Sequence, residues 1–215
     1  MSNLEHTKAA GRGKAVWGGR IRLLGVVIAA LAATSCSDAV RTGNSPAYLV
    51  LTSLQGAKGG GANSGTFSGN LASDVVTMVN GVSTVFADNG QASLELQMKD
   101  VLATPSAANA VTMTQYHVKY IRSDGHNVQG VDVPYEFDGG LGATIGSPAG
   151  TNTGSVGFTL VRVQAKQEAP LAALAGGNGQ VISTVAEVTL YGRDQNGNAV
   201  TVVGRINVDF GNWGD

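Results

Sequence analysis

The sequence predicts an all-β fold, an antiparallel sandwich of about seven to ten short strands, preceded by a signal segment and a short tether. Three observations predict it. Only 13% of the 215 residues are charged while 31 are Gly and 43% are hydrophobic, a balance that suits a compact, turn-rich β protein. Apolar residues recur with period two, as a half-buried strand requires. Turn pairs that tolerate positive φ stand between the alternating runs.

Residues 1–35 carry Lys8, Arg12, Lys14, Arg20 and Arg22 against Glu5, followed by the eleven-residue apolar run from Leu23 to Ala33, then Thr34, Ser35 and Cys36. A basic stretch, a short apolar stretch and small residues are the plan of an export signal. A spanning helix needs roughly 20 apolar residues, so this run is too short to serve as a permanent anchor. Leu31-Ala-Ala-Thr-Ser-Cys36 resembles the lipobox of bacterial lipoproteins, although Ala33 stands where that family prefers Leu. The resemblance implies that residues 1–35 are removed and that Cys36 becomes a lipidated first residue. A lone cysteine cannot form an internal disulfide, and lipidation gives it a reason. Ser37 follows, and no Asp marks inner-membrane retention, so the expected address is the outer membrane of the cell envelope.

Beyond residue 35 the chain holds nine basic and fourteen acidic groups. A mildly acidic chain lacks the basic face that phosphate binding needs, which excludes nucleic acid as a partner. Residues 36–46 read as the lipidated N-terminus and tether, and 47–215 as the sandwich domain. Strands are expected at 47–54, 65–71, 74–79, 82–87, 91–99, 110–122, 127–134, 154–165, 181–193 and 198–210. Leu94, Leu96 and Met98 share one face, and Val200, Val202, Ile206, Val208 and Phe210 share another. Asp88-Asn-Gly90, Ser123-Asp-Gly125 and Asn196-Gly197 are the expected hairpin turns, giving a meander or Greek key. Helix has room only near 168–175, ended by Gly176-Gly177.

On the hairpin Tyr191-Gly-Arg-Asp-Gln-Asn-Gly-Asn-Ala-Val200, the domain resembles the immunoglobulin-like β-sandwiches of bacterial surfaces. The tail Asp209-Phe-Gly-Asn-Trp-Gly-Asp215 is similar to that of bacterial lipoproteins, a likeness that implies no activity.

No catalytic residue is expected, since no Gly-x-Ser-x-Gly is present and Cys36 is assigned to lipid. His117 falls on the solvent side of its strand, opposite in facing to Tyr116, Val118 and Tyr120, and His126 at a hairpin tip. The glycine-rich stretch 56–65 lacks the Gly-Lys-Ser/Thr of a phosphate loop. No metal centre or cofactor is expected. Asp194, Asn196 and Asn198 are weak calcium candidates, with side chains a turn also uses. Asp132 and Glu136 form a poor pair for glycoside cleavage. The expected function is a non-catalytic interaction module, held to the membrane through lipid on Cys36 and contacting an envelope protein or polymer through sheet edges or loops. The alternative is a small-ligand or carbohydrate-binding module using Tyr135, Phe137 and Trp213 with the loop at 139–153.

Overall fold

A computed structural model describes residues 43–62, 64–146, 151–177 and 179–214. Cys36 and the signal segment lie outside the described residues. The described residues form ten strands: β1 (Ala47–Ala57), β2 (Asn70–Asp74), β3 (Thr77–Val79), β4 (Val82–Thr84), β5 (Asp88–Met98), β6 (Val111–Ile121), β7 (Phe137–Ile145), β8 (Thr153–Val161), β9 (Ile182–Asp194) and β10 (Ala199–Gly211). One short helix, α1 (Val163–Gln167), and a 3₁₀ turn at Leu171–Gly176 separate β8 from β9.

Two sheets form an all-β sandwich. One has the order β1-β5-β8 and the other β2-β10-β9-β6-β7, while β3 and β4 make a separate ribbon. β5 and β8 are neighbours in the first sheet, whereas β6, β9 and β10 share the second. The chain therefore changes sheet between β1 and β2, on the way from β2 to β5, and again after β5, after β7 and after β8.

Alternation explains which faces meet. In β5, Ala92, Leu94 and Leu96 are buried, while Gln91, Ser93 and Glu95 between them are only partly so. In β10, Val200, Val202, Ile206, Val208 and Phe210 all face the core. β6 keeps its apolar face inward across a bulge at Thr114: Val111 and Met113 are buried before it, Tyr116, Val118 and Tyr120 after it. One extra residue reverses the parity of a strand, so the bulge lets both halves point into the core.

Four expectations are corrected. Pairing is not wholly antiparallel, because β2 runs parallel to β10 with Leu71 opposite Val208. Asp88-Asn-Gly90 is not a turn; it opens β5, with Asn89 opposite Thr159 and Gly90 opposite Gly56. Its glycine is there for space, since a Cβ on Gly90 would lie 2.4 Å from the Phe158 ring. The tight turn in this region is Asn80-Gly81, with φ of 51° and 78°, joining β3 to β4 as a two-residue hairpin of the favoured hand.

The expected strand at 127–134 is a compact loop in which the Val128 carbonyl accepts from the N–H groups of Val131 and Asp132. The strand falls later, as β7, overlapping the loop expected at 139–153. Glycine weakens strand propensity, but here it admits a ring: a Cβ on Gly139 would lie 2.3 Å from Tyr116. The 3₁₀ turn Leu171–Gly176, closed by Gly177 at φ 68°, falls in the segment expected to be helical, but α1 at 163–167 lies outside it, where a strand is expected to run to 165.

Candidate functional site

The two long sides of the sandwich differ. On one side β1 is stitched toward β2 by reciprocal backbone hydrogen bonds between Gly56 and Ser68, both 2.9 Å. On the other, β7 and β8 end their sheets, and among the described residues no strand pairs with either outer edge. The two edges approach at Ile145 and Gly154, where a Cβ on the glycine would lie 2.7 Å from the Ile145 side chain. Along the same side they leave an open cleft of about 420 Å³, lined by Gly140, Gly157, Phe158 and Thr159 together with Phe67, Asn89, Gly90 and Tyr116.

The cleft's floor is aromatic and fixed. Tyr116 packs against Phe158 at 5.3 Å between ring centroids and edge-on to Phe137 at 6.1 Å. Its hydroxyl accepts the Thr159 N–H at 3.3 Å, tying β6 of one sheet to β8 of the other. Tyr116 and Phe158 are only 6% and 7% exposed, so they support the cleft from below. Its walls are backbone, because Gly140 and Gly157 are exposed and nothing lies within 4 Å of where a Cβ would stand. β8 carries no charged residue and β7 only Asp138, so these edges lack the lysines and prolines that blunt a free strand.

The sequence candidates are distributed around the molecule. Phe137 is 8% exposed and takes the Arg162 guanidinium over its ring at 4.4 Å, which makes it part of the packing beneath the cleft. Tyr135 is 49% exposed, beside Gly130 in the 122–136 loop. Trp213 is half-buried elsewhere: its indole N–H donates to the Ser73 carbonyl at 3.1 Å, and its ring lies against Gly211.

Asp194 is buried in the β9–β10 turn. Its Oδ1 accepts the N–H groups of Asn196 and Asn198 at 3.0 and 2.8 Å, and its Oδ2 accepts the Asn198 amide at 2.9 Å. Burial by itself raises this carboxyl, but the bonds from Asn198, Ser45 and Asn196 together outweigh it and hold Asp194 below the usual carboxylate range. The three calcium candidates therefore spend these oxygens and donors on the turn itself. Among the described residues no group of three or more acidic, histidine or cysteine side chains is placed to hold a metal.

His117 does face outward. Its Nδ1 lies 3.0 Å from Asp138 and its Nε2 3.6 Å from Glu136, so two carboxylates orient the imidazole at the start of β7. Asp132 is engaged separately, accepting the Val128 N–H at 3.0 Å. His126 stands exposed beside Asp124, 3.4 Å away. Arg122 hydrogen-bonds Asp124 and is the largest influence holding that carboxyl well below its ordinary value.

Sequence reasoning missed the cleft. Its residues come from the segment before β2 and from four strands, and of its glycines Gly90 is expected in a turn and Gly140 in a loop. No protein-family model matches the chain, and no curated protein matches it in sequence.

Proposed function

We propose that this protein is an exported, lipid-anchored module without catalytic activity that binds an extended segment of an envelope partner along its β7–β8 side. One observation carries the reading: two unguarded, glycine-rich edges lie on one side of the sandwich and flank a cleft with a rigid aromatic floor. A free edge offers a row of backbone donors and acceptors to an added strand, and a cleft beside it selects side chains. Gly140 and Gly157 let a partner's backbone approach closely.

The anchoring half of the proposal rests on the signal segment and Cys36. The entry of the chain into the domain supports it. Lys99 N–H donates to the Pro46 carbonyl at 3.0 Å, which sets the turn after β5 beside the end of the tether. Val101 and Leu102 on that turn are 92% and 90% exposed. Seven residues from Cys36 to Gly43 reach roughly 25 Å at most, so these apolar side chains would sit close to the bilayer.

The test is crosslinking in cells from photoreactive residues placed at Gly140 and at Gly157, with a control at Val203 on the outer face of β10. A protein adduct specific to the two cleft positions, lost when the other one is changed to Lys, is the expected result. Adducts at all three positions, or at none, would refute the edge-binding reading. Capture of a glycan instead would favour a carbohydrate-binding module.

A further inference from the structure

Asp88 and Lys166 form an ion pair from which water is fully excluded: Nζ lies 2.9 Å from Oδ1, and both side chains are 0% exposed. Asp88 starts β5 and Lys166 lies in α1, 78 residues later. Removing two charges from water costs more than their attraction returns unless every remaining site is satisfied. The sequence could have placed an apolar pair here, so the pair needs a reason.

The surroundings supply one. Asp88 Oδ1 also accepts the Gly59 N–H at 2.9 Å, and Oδ2 accepts the Ser73 hydroxyl at 2.6 Å. A second carboxyl, Asp74, is 2% exposed, is fixed by the Trp213 N–H at 3.3 Å, and acts electrostatically on Lys166. Near by, the buried Tyr120 phenol feels the charge of Asp88 and donates to the Leu160 carbonyl. An amine, a carboxyl, a donor facing one carboxyl oxygen, a hydroxyl facing the other and a second acid for proton transfer are the parts of an acyl-transfer site.

We infer that Lys166 and Asp88 condense within the folded chain to an amide between Nζ and Cγ, releasing one water, with Asp74 carrying the proton. Lys166 first gives a proton to Asp88 across their hydrogen bond, leaving a neutral amine and a carboxylic acid. Burial favours that exchange, because it lowers the affinity of Lys166 for its proton while Asp88 and Asp74 oppose the shift. The nitrogen lone pair then forms the bond to Cγ, and negative charge collects on Oδ2, which faces the Ser73 hydroxyl. Asp74 takes a proton from the nitrogen and returns it to the hydroxyl at Oδ1. The Cγ–Oδ1 bond breaks, water leaves and Oδ2 recovers its double bond. Nothing is oxidised or reduced, and no co-reactant is required.

The product has no buried charge at either residue, which removes the desolvation cost of the pair. It also joins the first sheet to the α1 segment through a covalent tie across 78 residues, restricting the unfolded chain as a disulfide would. For a chain with one cysteine, this is a cross-link independent of thiols.

Peptide mapping by mass spectrometry of the native full chain, digested after denaturation, tests the inference. The expected result is a branched species containing both Asp88 and Lys166, lighter than its two peptides by one water, and loss of cleavage after Lys166. Asp74→Asn should fold and yield the two peptides unlinked. Recovery from the wild-type chain of a linear peptide with a free Lys166 would overturn the proposal, and this readout stands even if Lys166→Met or Asp88→Ala fails to fold. The cross-link is independent of partner binding, so either can fail alone.

Discussion

Asp194 shows how a side chain that reads as a ligand can be consumed by local structure. Two backbone N–H groups and one side-chain amide converge on its carboxylate, which sits 4% exposed between β9 and β10. Because those bonds favour the charged form, its native pKa lies below its unfolded value. The resulting stability is present in full above the unfolded carboxyl range and is lost as pH falls through the native value. Asp194→Asn should therefore lower stability near pH 7 by about 1–3 kcal/mol, the cost of impairing buried hydrogen bonds. The deficit should shrink on acidification from about pH 4 downward. Urea midpoints measured across that range check it, and a deficit that does not change with pH would contradict the assignment. The turn was legible in Asn196-Gly197, and the outward facing of His117 was legible from its neighbours Tyr116, Val118 and Tyr120. The Asp88–Lys166 contact was not, since no local pattern links residues so far apart.

At the scale of elements, glycine has opposite meanings that the sequence alone does not separate. Asn80-Gly81 makes a real two-residue turn, whereas Asn89-Gly90 lies at the start of a long strand, where Phe158 needs the space beside the glycine. The same distinction yields a matched pair of substitutions in β7. Gly139→Ala would push a methyl into the Tyr116 ring, which is held between Phe137 and Phe158, and should destabilise by about 1–3 kcal/mol. Gly140→Ala meets nothing within 4 Å and should change stability by under about 0.5 kcal/mol. Chemical denaturation of the two variants side by side decides it, and equal effects would mean that the ring is free to move aside. Strands with clean alternation, such as those around Leu94 and Val208, could be read from sequence because one face meets the core and the other meets water. β7 could not, because its small residues carry little contrast between the two faces. The parallel partnership of β2 with β10 was equally hidden, since turn signals fix only strands adjacent in the chain.

For the molecule as a whole, the decisive property is where the sandwich works. In the proposed function the apolar run from Leu23 to Ala33 would direct export, and the small residues ahead of Cys36 would fit a signal peptidase. One acyl chain holds a protein only marginally at about 0.8 kcal/mol per buried CH₂, so durable anchoring requires more than one chain on the new N-terminus. The mature protein should thus begin at Cys36, carry several acyl chains and partition into the detergent phase. Cys36→Ser should yield an unacylated chain that appears in the aqueous phase with the sandwich still folded. Intact-mass analysis of the N-terminal peptide together with phase partitioning measures both. A wild-type chain that begins elsewhere with its thiol bare would detach the module from the membrane, and with it the argument that Val101 and Leu102 face lipid while the β7–β8 side stays free for a partner.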